Sequence, residues 1–139
     1  MAEAGVHRRG DMKFEEVLEK FREGLSREVG GIGCFIGVVR GIAQNGKSVK
    51  MLHYESADEA VEDLRRIAVE IERIHGVESV AIHHFVDDLL PGEDTIYVLV
   101  AGRGREDVFR ALQDVMIRVK REPLVWKKEI TEDGERWVR

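Results

Sequence analysis

The chain has 139 residues, of which 35% are charged and 43% hydrophobic, and its formal net charge is −5. This composition is typical of one soluble globular domain with a sizeable core. The negative charge argues against non-specific binding to nucleic acid, and an aromatic content of 6% argues against a base-stacking surface. Cys34 is the only cysteine, so no intrachain disulfide can form, and its apolar neighbours predict a buried, unreactive thiol.

The beginning of the chain carries charges and lacks the apolar run of a signal peptide. We therefore expect residues 1–12 to be a flexible tail and residues 13–139 to be a single domain. The longest uncharged run near the start, residues 30–39, is too short to cross a bilayer. These features predict a cytoplasmic protein that binds neither membranes nor nucleic acid.

Hydrophobic periodicity and turn residues predict three helices and five strands. In chain order these are a helix at about residues 13–28, strands at 32–39 and 48–55, a helix ending at Gly76, strands at 78–86 and 94–101, a helix at about 105–121 and a strand at about 124–131. From residue 48 onward the order is the split βαβ order of ferredoxin-like folds. The predicted fold class is therefore α+β: a ferredoxin-like split βαβ core with an added N-terminal helix and strand (α/β-hammerhead type) and a mostly antiparallel sheet.

The segment 120–129 contains the most informative pattern, because Lys120 ends the third predicted helix and Lys127 begins the last strand. Pro123 forces the chain to turn between them, so both cations could converge on one anionic small molecule. On pattern alone an ordinary surface position is the better explanation for each lysine: the helix dipole favours a cation such as Lys120 by about 0.3–1 kcal/mol, and Lys127 faces away from Trp126. Partial burial of Lys120 would lower its pKa and suit proton transfer.

Arginines form a second pattern, in which Arg103 and Arg105 flank Gly104 directly before the third predicted helix. Free backbone N–H groups, the positive end of the helix dipole and two guanidinium groups together favour a phosphate or carboxylate. A solvent-exposed loop explains the same residues equally well. Arg40 ends the first predicted strand, and by itself it carries little information.

The histidines give no metal site, and we predict neither a metal nor a cofactor. His83 and His84 are adjacent on a predicted strand, so their side chains point to opposite faces and cannot share an ion. His53 and His75 have no partner at ligand spacing.

With these residues placed, the chain resembles the large, catalytic subunit of molybdopterin synthase over about residues 30–138. Five short motifs, all in register, carry the resemblance. They are Gly37-Val38-Val39-Arg40, Leu52-His53-Tyr54-Glu55, Asp88-Leu89-Leu90-Pro91-Gly92-Glu93, the lysine segment 120–129, and Asp133-Gly134-Glu135-Arg136-Trp137-Val138.

The resemblance implies a sulfur transfer in molybdenum cofactor biosynthesis. That family converts a pterin phosphate, cyclic pyranopterin monophosphate (precursor Z), into molybdopterin, which carries a dithiolene. The sulfur arrives as a thiocarboxylate on the C-terminal Gly-Gly of a small ubiquitin-like sulfur-carrier subunit, which inserts into a pocket of the large subunit. The family forms a heterotetramer, built on a homodimer of large subunits, and needs no metal for this step.

The resemblance also assigns roles to individual residues. The family's two pocket lysines correspond to Lys120 and Lys127, which are predicted to be catalytic, with Lys120 in the main role. Its strand-end arginine corresponds to Arg40. Its His-Arg pair falls on Gly104 and Arg105, so the arginine is kept and the histidine is absent. We predict that the substrate is bound by Arg40, Arg105 and Arg103, where Arg103 partly substitutes for the missing histidine.

Two other functions are compatible with the sequence. One is a non-catalytic, dimeric binding module for a ubiquitin-like partner, which the missing histidine at Gly104 favours. The other is an anion-binding regulatory domain that uses Arg103 and Arg105 and does not need Lys120. The five motifs in register argue against the regulatory domain, which has no reason to contain the lysine segment.

Overall fold

The computed structural model describes residues 1–122 and 125–138, so the turn predicted at Pro123, the predicted strand start at Leu124 and the terminal Arg139 lie outside the described residues. In chain order the elements are β1 (Glu3–His7), α1 (Phe14–Glu23), β2 (Gly31–Val38), β3 (Val49–Ser56), α2 (Ala60–His75), β4 (Ser79–Phe85), β5 (Asp87–Leu89), β6 (Asp94–Gly102), α3 (Arg105–Arg121), β7 (Val125–Thr131) and β8 (Gly134–Val138). No helix in the described part of the chain is long and apolar enough to cross a membrane.

The strands of the described ranges form two four-stranded sheets. The first has the order β1-β4-β6-β2, and the second has the order β5-β3-β7-β8. β1 pairs with β4 in parallel, whereas the other strand pairs are antiparallel. The α+β class and the mostly antiparallel pairing are therefore confirmed, with three helices in the residues that the structure describes.

The expectation of one ferredoxin-like sheet is wrong. In that arrangement β3 would lie beside β6, but β2 pairs with β6 along its whole length instead. β3 pairs with β5 and β7 in the second sheet. The apolar strand β2 thus occupies the edge that β3 would need, and the last strands assemble separately. This split matters for function because it leaves space between the two sheets.

Two cores lie on opposite faces of the first sheet. On one face α2 and α3 cover the central strands β4 and β6, whose residues are almost all buried. The main apolar residues of this core are Leu64, Ile67, Ile71, Val80, Ile82, Val98, Val100 and Val115. On the other face Val17 and Phe21 of α1 pack together with Leu99 of β6 and with residues of the second sheet, which include Val49, Leu52 and Leu89. The burial of both faces explains why β4 and β6 read as continuous apolar runs.

The expectation of a flexible tail at residues 1–12 is wrong, because residues 3–7 form β1 at the edge of the first sheet. Ala4 and Val6 pack against the helical core, and the terminal amino group donates to the carbonyl of Glu78 at 2.9 Å. The alternation of small apolar and polar residues is a strand signal, but it is too short to stand out beside the charges that follow. Pairing with β4 supplies the stability that the segment lacks alone.

α1 is shorter than predicted and ends at Glu23 rather than near residue 28. Gly24 caps the helix, and two residues later Ser26 donates both its backbone N–H and its hydroxyl to the Glu78 carboxylate. These bonds hold the chain in a turn, so the periodic Leu25 packs from a loop. The structure also adds two short strands, β5 and β8, that the pattern did not predict.

Cys34 is exposed, which corrects the expectation of a buried thiol. It lies on β2, the outer strand of the first sheet, where neighbours cover the strand on one edge only. Phe35, Ile36 and Val38 on the same strand are 42%, 41% and 50% exposed. An apolar run therefore does not guarantee burial when the strand lies at a sheet edge.

Candidate active site

A cavity of about 580 Å³ opens between the two sheets beside the last turns of α3, and we refer to it as the inter-sheet cavity. Its wall combines apolar residues with cations, carboxylates and one imidazole. The residues that the argument uses are Gly37, Arg40, Tyr54, His84, Thr95, Lys120, Glu122, Trp126, Lys127 and Glu129. They come from both sheets and from α3, so the cavity exists only because the sheets are separate.

Three of the predicted site residues line this cavity together: Arg40 just after β2, Lys120 in the last turn of α3, and Lys127 on β7. Lys127 is half-buried, whereas Arg40 and Lys120 are exposed. Burial lowers the pKa of Lys127, and the positive charges of Lys120 and Arg40 lower it further, with Glu129 acting in the opposite direction. The two lysines therefore converge, as their positions around the turn predict, and Arg40 joins them.

The two lysines have different environments. The sequence favours an ordinary surface position for each lysine, with partial burial of Lys120 as the alternative; Lys120 is exposed, whereas Lys127 is half-buried. On β7 it is Trp126 that is 50% exposed, and Glu129, which shares a strand face with Lys127, is only 8% exposed. The apolar side chain of Trp126 therefore does not decide which face of β7 is buried, because the face that carries Lys127 and Glu129 turns inward.

An ion-pair network fixes the end of α3 that presents Lys120. Arg118 bonds to Glu122 at 2.6 Å and to Glu70 of α2 at 2.5 Å, and Arg66 of α2 bonds to Glu122 at 3.0 Å. The two guanidinium groups lower the pKa of Glu122 to about 2. The network ties the C-terminal turn of α3 to α2 and so positions Lys120 at the rim of the inter-sheet cavity.

β3 supplies the wall beside Lys127, because Tyr54 is its cross-strand neighbour. Burial raises the pKa of Tyr54, and the side chain of Thr95 on β6 acts in the opposite direction. Gly37 lies next to Thr95, and a Cβ there would clash with the Thr95 hydroxyl oxygen. Glycine at position 37 therefore keeps this contact between the sheets open.

His84 is a cavity residue that the sequence interpretation did not assign. It lies on β4, and its Nδ1 is 2.9 Å from the carbonyl oxygen of Phe85. Burial lowers the pKa of His84 to about 4, and the nearby Lys127 also lowers it. The available signal was a pair of histidines in an otherwise apolar strand, which predicted opposite faces but not which face meets a cavity.

Arg103 and Arg105 do not line the inter-sheet cavity. Both are exposed, and Arg105 begins α3 while Lys120 lies in its last turn. A rise of 1.5 Å per residue separates the two ends of this helix by roughly 22 Å. Within one chain, the lysine pair and the arginine pair therefore lie at opposite ends of α3, and only the lysine pair lines the cavity. Among the described residues no group of three or more His, Cys, Asp or Glu side chains is arranged to hold a metal ion.

Comparison with known proteins identifies the family. The family model described as MoaE protein matches residues 6–122. The molybdopterin synthase catalytic subunit of Pyrococcus abyssi is 36% identical over 129 residues, which are 92% of this chain and 84% of that protein.

Solved structures agree with this match. Molybdopterin synthase from Staphylococcus aureus superposes with a TM-score of 0.88 and 26% identity, over 100% of this chain and 98% of that one. A Helicobacter pylori chain, solved in a complex of subunits 1 and 2 of molybdopterin-converting factor, has the same fold at 16% identity and a TM-score of 0.72, over 99% and 88% of the two chains. The chain belongs to the MoaE protein family, that of the molybdopterin synthase catalytic subunits.

Proposed function

We propose that the inter-sheet cavity is the active site of sulfur transfer to cyclic pyranopterin monophosphate, which forms the dithiolene of molybdopterin. The observation that carries this proposal is the convergence of Lys120, Lys127 and Arg40 on one cavity. The substrate carries a cyclic phosphate, and the attacked thiocarboxylate passes through an anionic tetrahedral state. Clustered cations bind the phosphate and stabilise the tetrahedral state.

The two lysines suit different parts of this reaction. Lys127 is half-buried and its pKa is lowered, so it gives up a proton more readily than an ordinary lysine. Lys120 is exposed at the cavity rim, and there its charge can stabilise the anionic intermediate. Arg40 is expected to hold the phosphate, because a guanidinium binds phosphate through paired N–H groups.

A small ubiquitin-like subunit would deliver the sulfur at its C-terminal Gly-Gly. Glycines carry no side chain, so such a tail can enter a narrow opening as extended backbone. Trp126, which is half-exposed, also borders the cavity and would offer the incoming tail an apolar contact. Each transfer breaks the C–S bond of one thiocarboxylate, and water supplies the oxygen of the carboxylate that is left on the small subunit, so the two sulfurs of the dithiolene need two thiocarboxylates.

A homodimer would bring Arg103 and Arg105 into the reaction. These arginines lie too far along α3 to reach the cavity of their own chain, so they could bind substrate there only from a second copy. β2 supports such a contact because it is an outer strand with exposed Phe35, Ile36 and Val38. Exposed apolar edge strands of this kind pair with other chains.

Single-turnover conversion of precursor Z tests the proposal, with thiocarboxylated small subunit and either wild type or Lys120→Ala. We expect product with wild type and a loss of about 100-fold or more with the variant, as for removal of one transition-state charge contact. Lys120→Ala turnover within a few-fold of wild type would contradict the assignment of Lys120. Absence of product with wild type, in a stable complex with the small subunit, would favour the non-catalytic binding module that Gly104 suggests.

A further inference from the structure

His84 is a buried polar residue in the wall of the inter-sheet cavity that the proposed chemistry does not yet use. The residue is only 8% exposed, yet its side chain lines the cavity. It lies near the end of β4, opposite Ile96 of β6, on the side of the cavity that faces β3 and β7. A substrate that fills the cavity would therefore meet this imidazole.

The hydrogen bond to Phe85 fixes the tautomer of the ring. A carbonyl oxygen can only accept, so Nδ1 of His84 carries the hydrogen and donates it across 2.9 Å. In a neutral imidazole the other nitrogen, Nε2, is then an acceptor. The ring of Tyr54 packs edge-on against the imidazole, with centroids 5.2 Å apart and an angle of 67° between the planes. His84 is thus held in one tautomer and one orientation.

The surroundings keep this imidazole neutral. Burial lowers the pKa of His84 to about 4, the charge of Lys127 lowers it further, and the bond to the Phe85 carbonyl acts in the opposite direction. Lys127 in turn interacts with Lys120 and Arg40, whose charged groups only donate hydrogen bonds. The carboxylates of Glu122 and Glu129 also line the cavity, but arginines already bind both of them, so a ligand N–H or O–H donor beside β4 meets the imidazole of His84 as its acceptor.

We propose that His84 is a substrate-binding, specificity-determining residue whose Nε2 accepts a hydrogen bond from a ring N–H or hydroxyl donor of the substrate's heterocycle. The inference rests on the proposed function, in which a reduced pterin offers such donors and its phosphate binds the cations. In this arrangement Lys120 and Arg40 recognise charge, and His84 recognises the ring. A ligand without the donor would leave a buried acceptor unpaired, which costs more than a lost surface contact.

Two substitutions separate the acceptor from the rest of the ring. In His84→Asn the side-chain amide can still donate to the Phe85 carbonyl, but no acceptor reaches the position of Nε2. In His84→Gln the longer side chain brings its amide oxygen close to that position. We expect His84→Asn to raise KM for precursor Z by about 10- to 100-fold with kcat nearly unchanged, and His84→Gln to keep KM within about 5-fold of wild type.

The measured KM and kcat distinguish substrate recognition by His84 from a structural or catalytic role. Thermal unfolding and binding of the small subunit first establish that each variant is folded. Equal KM values for wild type and His84→Asn, or a loss of kcat at constant KM in both variants, would overturn the inference and leave the sulfur transfer intact. Absence of product with wild type would instead overturn the proposed function, and the role of His84 would fall with it.

A spectroscopic measurement keeps the inference testable even if His84→Asn does not fold. In wild type bound to unthiolated small subunit, nitrogen NMR of the histidine rings detects Nε2 of His84 as an unprotonated nitrogen, assigned by its loss in His84→Gln. We expect this resonance to move upfield when precursor Z is added, because the nitrogen then accepts a hydrogen bond. An unchanged resonance with precursor Z bound would overturn the inference.

Discussion

The two ends of α3 carry similar basic sequences but have different surroundings. At the C-terminal end Lys120 shares the inter-sheet cavity with Lys127 and Arg40. At the N-terminal end Arg103 and Arg105 are exposed and lie outside that cavity. The comparison shows that charges which are close along the chain line a cavity only where distant strands enclose one beside them.

The two ends of α3 also differ in the contacts that hold them in place. The C-terminal turn of α3 is tied to α2 through Arg118, Glu122, Glu70 and Arg66. The N-terminal turn begins at Gly104, which offers no side chain to cap the helix. The network holds the helical turn that carries Lys120, and in the proposed reaction this would lower the entropic cost of organising the site.

Mixing two inactive variants tests whether the two ends meet across a dimer. Lys120→Ala and Arg105→Ala should each lower kcat/KM by about 100-fold or more, since each removes a charge contact from the same composite site. After subunit exchange, about a quarter of the wild-type activity should return, because half of the dimers are mixed and each contains one intact site of two.

As the control for this exchange, each variant is taken through the same procedure alone. If size-exclusion chromatography shows mixed dimers but activity stays at the level of the single variants, Arg105 does not complete a neighbour's site. The two ends of α3 would then be functionally unrelated.

The pH dependence of stability probes the environment of His84. Its unfolded-state pKa is 6.5 and its folded-state pKa is about 4, so the unfolded chain binds the proton more tightly. The free energy of unfolding should therefore fall as the pH drops from about 6.5 to 4, by at most roughly 3 kcal/mol from this residue. Urea unfolding of wild type at several pH values measures the fall, and His84→Gln should remove most of it.

Two other histidines contribute to the same titration. The pKa of His7 is lowered by burial and by His83, so it changes stability in the same direction as His84. The pKa of His53 is raised by hydrogen bonds to Glu55 and Asp88, so its contribution is present at low pH and is lost as the pH rises through its folded pKa. A His84→Gln profile identical to wild type would contradict the buried environment of His84.

Removal of the ion-pair network should have the smallest effect. Arg118→Met leaves Glu70 and Glu122 without one shared partner, and we expect it to lower the free energy of unfolding by about 1–2 kcal/mol and turnover by a few-fold. Arg65→Met is the matched control, because Arg65 pairs with Glu62 on the exposed surface of α2 and should cost less than about 0.5 kcal/mol. Equal costs for the two variants would contradict the positioning role of the network.

The sequence predicted the elements well but not how they assemble. Apolar periodicity places all three helices and five of the strands, because it reflects which face of each element is buried. It could not show that β2 takes the edge of β6 and divides the strands into two sheets, because strand pairing depends on contacts between distant parts of the chain. The short strands β1, β5 and β8 have too few residues for a clear pattern.

For the candidate site too, the sequence predicted the residues but not how they are packed. Lys120, Lys127 and Arg40 follow from the local turn and the family motifs, and the structure brings them to one cavity. The burial of Lys127 and the cavity position of His84 depend on the packing of one sheet against the other. No local pattern encodes that packing.

Two neighbouring lysines on β7 provide the most direct test of the central claim, that cations in the inter-sheet cavity carry out sulfur transfer. Lys127 lines the cavity, whereas Lys128 points to the opposite strand face, pairs with Glu135 at 3.2 Å and lies over the ring of Trp137. In single-turnover conversion of precursor Z, Lys127→Ala should lose about 100- to 1,000-fold in rate, while Lys128→Ala should stay within about 3-fold of wild type. Equal rates for the two variants would contradict the account.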